Sequence, residues 1–191
     1  TMHDRLARAR ERASPEERFG HISGMIETAE NLARKHGISR EAQDDFALRS
    51  QHRAVAARDG GKFDDETVAV PVPGKAGQTV SVSQDEGLRA GLTIEDLQKL
   101  KPIQKGGTVT AGNASQQNDG AAACLVVAED VLEKLDLVPD LFLKGWAVTG
   151  CEPATMGIGP VPAVAKLFQK TGLGWNDIDL VELNEAFAAQ A

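Results

Sequence analysis

Apolar residues recur at helical spacing in the first third of the chain. Met25 begins one such stripe, and Gly37 follows it where glycine commonly ends a helix. The spacing therefore predicts a helix over about residues 24–36. Ser39 is a good N-cap for a second helix, which we expect to run to Gly60. Because so short a connection joins them, the two helices should form an antiparallel hairpin.

The next stretch combines short strands with one short helix. Residues 66–72 and 78–83 alternate between apolar and polar positions, and their prolines restrict them to sheet edges or ends. Thr93 followed three residues later by Asp96 is a capping-box pattern, which predicts a helix that ends near Leu100.

From about residue 108 onward the pattern becomes that of an α/β protein. Helices are predicted at 129–135 and 160–171, the second of which Gly172 ends, and Asn184 is expected to open another helix. Three continuous apolar runs predict strands that are covered on both faces. These runs are residues 121–128, 141–149 and 179–183.

Composition narrows the class of protein. With 191 residues, 41% hydrophobic and 26% charged, the chain can bury a core as a globular protein does. The net charge of −7 disfavours a nucleic-acid binder. No apolar run approaches the roughly 20 residues that span a bilayer. The two cysteines form neither a disulfide framework nor a zinc site, so we expect a reduced, cytoplasmic compartment.

No familiar catalytic constellation is present in the sequence. Phosphate-binding glycine loops, a nucleophile elbow and zinc-ligand spacing of the histidines are all missing. Cys124 lies in the middle of a predicted strand, where a buried, inert thiol is expected. Cys151 follows a predicted strand near a proline, which favours a structural role. Nothing in the chain therefore supplies an obvious nucleophile.

Three features could still bind a ligand. The small residues of 108–115 would let a ligand approach the backbone, but the same composition is typical of an ordinary turn that leads into a strand. Asn184, at a predicted helix N-terminus, suits an oxyanion or a bound water, but also a plain N-cap. Arg89 opens a positive stretch that ends at Lys105, which is either a docking place for a phosphorylated ligand or a solvated face.

Several long motifs bear on the choice between these alternatives. They are Met25–Asn31, Ser39–Ser50, Thr110–Ser115 with Asn118–Ala123, Met156–Ala163 and Asp179–Gln190. Together they resemble the thiolase family, in the family's order and from about His21 to Ala191. The chain ends shortly after Asn184, within the helix predicted there, so we expect an internal fragment. By the resemblance it lacks the family's N-terminal nucleophile segment and its C-terminal histidine and cysteine segments.

The resemblance implies a fold and a division of the chain. The fold class is α/β: part of the layered αβαβα thiolase architecture, with a mainly helical loop domain that covers coenzyme A. Residues 1–117 would be that loop domain. Residues 118–139 would end the N-terminal half, and residues 140–191 would begin the C-terminal half.

It also implies a reaction. Thiolases transfer acyl groups between an enzyme cysteine and coenzyme A, by thiolysis of a 3-ketoacyl-CoA or condensation of two acyl-CoA units. Coenzyme A is a substrate, and no metal or other cofactor is expected. The expected partners are the remainder of the thiolase chain and further copies, in a homodimer or homotetramer, and this chain alone should be inactive. Two alternatives are a non-catalytic acyl-CoA-binding or lipid-carrier relative and an oligomer-assembly segment.

Site residues carry over position by position. Asn184 matches the asparagine that holds a catalytic water. Arg89 aligns with a basic residue near the nucleotide end of coenzyme A. One departure is Gly24, because short-chain biosynthetic thiolases usually carry histidine there, and this leaves longer 3-ketoacyl chains open. The remaining matches contact the pantetheine arm or line the acyl pocket: Ala111, Gly112 and Ser115 in the loop, and Met25, Met156 and Phe187 in the pocket.

Overall fold

The computed structural model describes residues 9, 12–13, 16–21, 23–118 and 123–191. The chain divides into two compact units. We call residues 24–116 together with 184–191 the helical unit, and the rest the second unit. No helix in the described ranges combines the length and apolar character needed to cross a membrane.

Two consecutive helices form the largest part of the helical unit, but they do not pack along each other, so the predicted antiparallel hairpin is wrong. Helix α2 spans Met25–His36 and ends at Gly37, whose positive φ of 67° suits glycine. Helix α3 spans Arg40–Asp59, and the Ser39 hydroxyl accepts a hydrogen bond from the Ala42 N–H at 3.1 Å. These bounds confirm the predicted helices and the N-cap between them. The short helix α1, Glu16–Phe19, belongs to the second unit.

The predicted strands and short helix of the helical unit are also present, although the first strand begins at Val70 and residues 66–69 lie outside it. Strands β1, Val70–Pro73, and β2, Thr79–Val82, pair antiparallel around a 3-10 turn at Lys75–Gly77. Helix α4 spans Ile94–Gln98. Its capping box forms as predicted, with reciprocal hydrogen bonds between Thr93 and the side chain and backbone of Asp96.

The core of the helical unit joins segments that are far apart in sequence. Ala29 and Ala33 of α2 pack with Val109 and Ala189, each of which is less than 5% exposed. Half-buried apolar side chains surround these four. They are Ile26, Ile38, Ala114 and Phe187. The core thus holds α2, the 107–115 segment and the last residues of the chain together.

In the second unit, the neighbouring segments pack against helix α5. It spans Pro160–Thr171 and ends at Gly172, as predicted. Residues 141–150 pack along it: a Cβ at Gly145 would lie 2.8 Å from Thr171 Cγ2, and Lys166 donates to the Val148 carbonyl at 2.9 Å. The 3-10 turns Pro153–Ile158 and Trp175–Asp177 flank the helix.

Several predictions for the second unit are wrong. No strand forms in the described parts of 121–128, 141–149 and 179–183, and residues 121–122 lie outside the described residues. A strand needs neighbours for its backbone groups, and these segments have none within the described chain. Leu125, Leu141 and Leu180 are accordingly 78%, 90% and 76% exposed.

Two smaller corrections follow from the same region. The helix predicted at 129–135 is replaced by two 3-10 turns, Glu129–Val131 and Glu133–Leu135. Cys124, predicted to be buried inside a strand, is exposed because that strand does not form. Cys151 is exposed as well, and its thiol lies 3.7 Å from the Met156 carbonyl oxygen.

Candidate functional site

A buried carboxylate from α2 fixes the start of the small-residue loop, residues 107–115. Glu30 is only 4% exposed. Its Oε1 accepts hydrogen bonds from the backbone N–H groups of Thr108 and Val109, both at 2.8 Å. Its Oε2 accepts from the Thr108 N–H at 3.0 Å and from the Thr108 hydroxyl at 3.1 Å. The charged side chain thereby satisfies the donors at the beginning of the loop.

The middle of the loop closes on itself through Asn113. Its Oδ1 accepts from the Thr110 N–H at 2.8 Å, and its Nδ2 donates to the Thr108 carbonyl at 3.1 Å. The same amide donates to Asp44 Oδ1 on α3 at 2.9 Å. Because Asn113 is 3% exposed and Asp44 is fully buried, this contact ties the loop to α3 away from water.

An ion pair extends the network to α4. Arg40 donates through Nε to Asp44 Oδ2 at 2.7 Å. Its Nη2 donates to the carbonyls of Leu97 and Leu100, at 2.7 and 3.1 Å. Leu97 lies in the last turn of α4 and Leu100 lies just beyond its end, so the guanidinium ties α3 to the C-terminal end of α4.

The loop pairs with the end of the chain. The Ser115 N–H donates to the Ala186 carbonyl, and the Ala188 N–H donates to the Asn113 carbonyl, both at 2.9 Å. Ala114 and Phe187 form an antiparallel bridge between these contacts. Two stretches that carry predicted site residues therefore lie side by side, about 70 residues apart in sequence.

This pairing overturns the helix predicted to begin at Asn184. Residues 184–185 are irregular and the following residues form turns. Ala186 and Ala188 use the backbone groups that a helix would need on Asn113 and Ser115 instead. Asn184 itself is exposed, so the helix dipole and the N-cap expected there are both missing from this structure.

Gly112 has a packing role that the sequence reading missed. A Cβ at this position would lie 2.5 Å from Leu97 Cδ2 and 2.6 Å from Leu100 Cδ1. The close approach of α4 to the loop accounts for a glycine here without any ligand. Its predicted contact with coenzyme A stays a prediction, as do those of its exposed neighbours Ala111 and Ser115.

The predicted pocket residues lie in different surroundings. Met25 is the first residue of α2 and is 47% exposed, whereas Phe187 is half-buried against the core. Met156 belongs to the second unit, where it lies in a 3-10 turn and is 45% exposed.

The backbone of Arg89 is hydrogen-bonded to Gln51, and its side chain is exposed. Gln51 on α3 accepts from the Arg89 N–H at 3.1 Å and donates to the Gly87 carbonyl at 3.3 Å. Among the described residues the Arg89 guanidinium makes no ion pair. Lys99 is different, because its ammonium lies 3.0 Å from Asp96. That contact, with the Thr93 hydroxyl and backbone, lowers the pKa of Asp96.

Glu30, Asp44 and Gln51 were not singled out from the sequence. A signal for Glu30 was available, since it lies on the same helix face as the apolar residues Ile26 and Ala33. A charged residue on an apolar stripe indicates a specific buried partner.

Comparisons with known proteins agree over most of the chain. The thiolase N-terminal domain family model matches residues 15–130, and the thiolase C-terminal domain family model matches residues 138–191. An acetyl-CoA acetyltransferase of Chromobacterium violaceum is 53% identical over 165 residues, which are 86% of this chain and 42% of that protein. The chain thus spans well under half the length of such relatives.

Solved structures agree with the sequence matches. A Bacillus anthracis acetyl-CoA acetyltransferase superimposes with a TM-score of 0.82 at 45% identity, covering 89% of this chain and 43% of that one. A human mitochondrial 3-ketoacyl-CoA thiolase in complex with CoA gives a TM-score of 0.76 at 51% identity, with 87% and 41% covered. The architecture described above is accordingly part of that fold.

Proposed function

The chain belongs to the thiolase family, and we propose that it supplies the coenzyme A-covering part of an enzyme that transfers acyl groups between a cysteine and coenzyme A. The segment spans about 42% of its relatives. By "the complete enzyme" we mean the thiolase that carries this segment together with the regions its relatives have beyond it.

One observation supports this proposal most strongly. The loop that carries Ser115 and the segment that carries Asn184 are joined by two backbone hydrogen bonds, although neither segment predicts the other from sequence. Such a convergence of small, exposed polar residues suits the narrow pantetheine arm of coenzyme A. The similar human thiolase was solved in complex with CoA.

We assign roles to the site residues on this basis. Asn184 holds the water that stabilises a developing oxyanion. Arg89 presents an exposed cation to the phosphates at the nucleotide end. The other residues contact the pantetheine arm or the acyl chain: Ala111, Gly112, Ser115, Met25, Met156 and Phe187. We also propose the division into a loop domain over residues 1–117 and the two flanking halves, 118–139 and 140–191.

The substrate class follows from the same comparison. Relatives include acetyl-CoA acetyltransferases and a 3-ketoacyl-CoA thiolase. A Cβ at Gly24 would meet nothing within 4 Å, so this chain leaves space beside Met25. We therefore propose 3-ketoacyl-CoA substrates that include chains longer than acetoacetyl.

The decisive experiment is thiolysis by the complete enzyme. It should cleave acetoacetyl-CoA and longer 3-ketoacyl-CoA substrates only when CoA is added. The 191-residue chain alone should be inactive, and alkylation of Cys124 and Cys151 should change nothing. A complete enzyme that binds CoA without turnover would instead support the acyl-CoA-binding or lipid-carrier alternative. The cytoplasmic location and the dimeric or tetrameric state stay predictions.

A further inference from the structure

Glu30 is a buried acid of the helical unit whose two carboxylate oxygens accept four hydrogen bonds from the loop. The residue is 4% exposed, and the contacts described above come from Thr108 and Val109, 78 and 79 residues away in sequence. Burying a carboxylate is costly unless donors surround it. A well-packed apolar residue is often at least as stabilising at such a place, so the charge is better explained by what it holds than by stability alone.

Gly107, which precedes Thr108 and Val109, lies directly against the Glu30 carboxylate. A Cβ on Gly107 would lie 2.2 Å from Glu30 Oε1 and 2.7 Å from its Cδ. A larger residue would therefore displace the carboxylate from the N–H groups of Thr108 and Val109. Glycine and glutamate thus form one fitted contact, which ties the loop to α2.

The contact between Glu30 and the loop is continuous with the proposed site. Val109 is fully buried beside it, and Asn113 and Ser115, a few residues further, pair with the segment that follows Asn184. Loop and segment are held to each other, and Glu30 holds both to α2.

We infer that Glu30 is a positioning residue for coenzyme A: its buried carboxylate fixes the 107–115 loop in the conformation that presents Ser115 to the ligand. The inference rests on the proposed function. Because Glu30 reaches the ligand only through the loop, it acts on coenzyme A binding more than on the chemical step.

The test compares Glu30→Gln with the wild type in the complete enzyme. The glutamine amide has nearly the same shape, but its NH₂ group faces backbone donors, so at least one hydrogen bond to the loop is lost. Amide exchange of residues 107–115 should accelerate. The KM for CoA should rise about tenfold while kcat changes by less than about twofold.

Two further variants keep the test decisive. Gly107→Ala retains the charge but displaces the carboxylate, so it should raise the KM for CoA in the same way even if Glu30→Gln folds poorly. Asp45→Asn removes an exposed acid from α3, beside the buried Asp44, and should change neither exchange nor KM.

The outcomes separate the inference from the proposed function. If Glu30→Gln and Gly107→Ala melt earlier but keep the wild-type KM for CoA, Glu30 is only structural and the inference is wrong. If the wild-type enzyme shows no CoA-dependent turnover, the proposed function fails and the inference fails with it. A raised KM in both variants, with Asp45→Asn unchanged, supports the inference.

Discussion

Polar side chains of the helical unit fall into two groups. Glu30 and Asp44 are buried, and their carboxylates bind named donors on the loop, α3 or both. Arg89, Ser115 and Asn184 are exposed. Buried polar groups hold a structure only when their hydrogen bonds are made, whereas exposed ones are free to exchange water for a ligand. The buried group therefore holds the loop in place, and the exposed group is available to bind a ligand.

Asn184 should act on the transition state rather than on substrate binding. Removing one donor to a developing oxyanion typically lowers kcat by about 10²–10³. We expect losses of that order for Asn184→Ala and Asn184→Asp in the complete enzyme, the second because a carboxylate repels the developing negative charge. Steady-state thiolysis measures the effect. Wild-type kcat in both variants would remove Asn184 from the catalytic machinery.

Arg89 should contribute through its charge. Arg89→Ala in the complete enzyme should raise the KM for CoA roughly two- to fivefold, because exposed ion pairs are weak. The effect should shrink as salt is added. Arg53→Ala, which removes an exposed arginine of α3, serves as the control. If Arg89→Ala weakens CoA and dephospho-CoA equally, the contact lies elsewhere than at the 3′-phosphate of the nucleotide.

In the helical unit, helix α4 is held by a close contact with a loop glycine and by a hydrogen-bonded arginine, as well as by its apolar face. Leu97 of α4 is 2% exposed, and it packs on Gly112 while Arg40 binds its carbonyl. The position of α4 thus depends on the loop and on α3 together, and a disturbance at the loop should reach α4.

Gly112→Ala should destabilise the contact between the loop and α4. The new Cβ would stand 2.5 Å from Leu97 Cδ2, and overpacking of this kind costs about 1–3 kcal/mol. Denaturant unfolding of the complete enzyme measures the loss. Gly150→Ala is the control, because a Cβ there meets nothing within 4 Å. Equal stability of the two variants would show that α4 moves freely away from the loop.

The capping box of α4 should make that helix sensitive to acid. Lys99 and Thr93 lower the pKa of Asp96 below its ordinary value. A carboxylate with a lowered folded pKa stabilises the structure above its unfolded pKa, and this stabilisation is lost as pH falls through the folded value.

Amide exchange of residues 93–98, corrected for intrinsic rates, should therefore show more frequent opening of α4 as the pH is lowered into that range. In Asp96→Asn the helix should open more readily at neutral pH, and the acid dependence should disappear. Retention of the acid dependence in Asp96→Asn would assign it to another carboxylate.

Large apolar side chains remain exposed across the chain as a whole. In the second unit Val126, Leu141 and Leu143 are 82%, 90% and 79% exposed. A monomer seldom leaves so many neighbouring apolar residues in water. The relatives, more than twice as long, contain further chain to which such segments could pair.

We expect the isolated 191-residue chain to be marginally stable and to self-associate. Unpaired apolar segments around residues 123–128 and 179–183 are templates for intermolecular pairing. Light scattering during size exclusion should report species larger than 20.3 kDa. Leu143→Lys should reduce the association. A sharp monomer peak with a cooperative thermal transition would contradict this prediction.

Helices α2, α3, α4 and α5 follow from signals that lie next to each other in the sequence. Gly37, Ser39, Thr93 and Gly172 act within one turn of the helix ends that they define, so local chemistry alone sets those bounds. The family was also predictable, because whole motifs are present in order. The site residues assigned from those motifs stay predictions.

Only the folded chain decided the features that depend on distant partners. The apolar runs near 125, 145 and 181 read as strands, but a strand exists only where a neighbour takes its hydrogen bonds. Asn184 reads as a helix start, yet the following backbone pairs with the 113–115 loop. Glu30 meets Thr108 across 78 residues. Hydrogen bonds of this kind are satisfied by whatever the fold brings near, and spacing along the sequence carries no record of it.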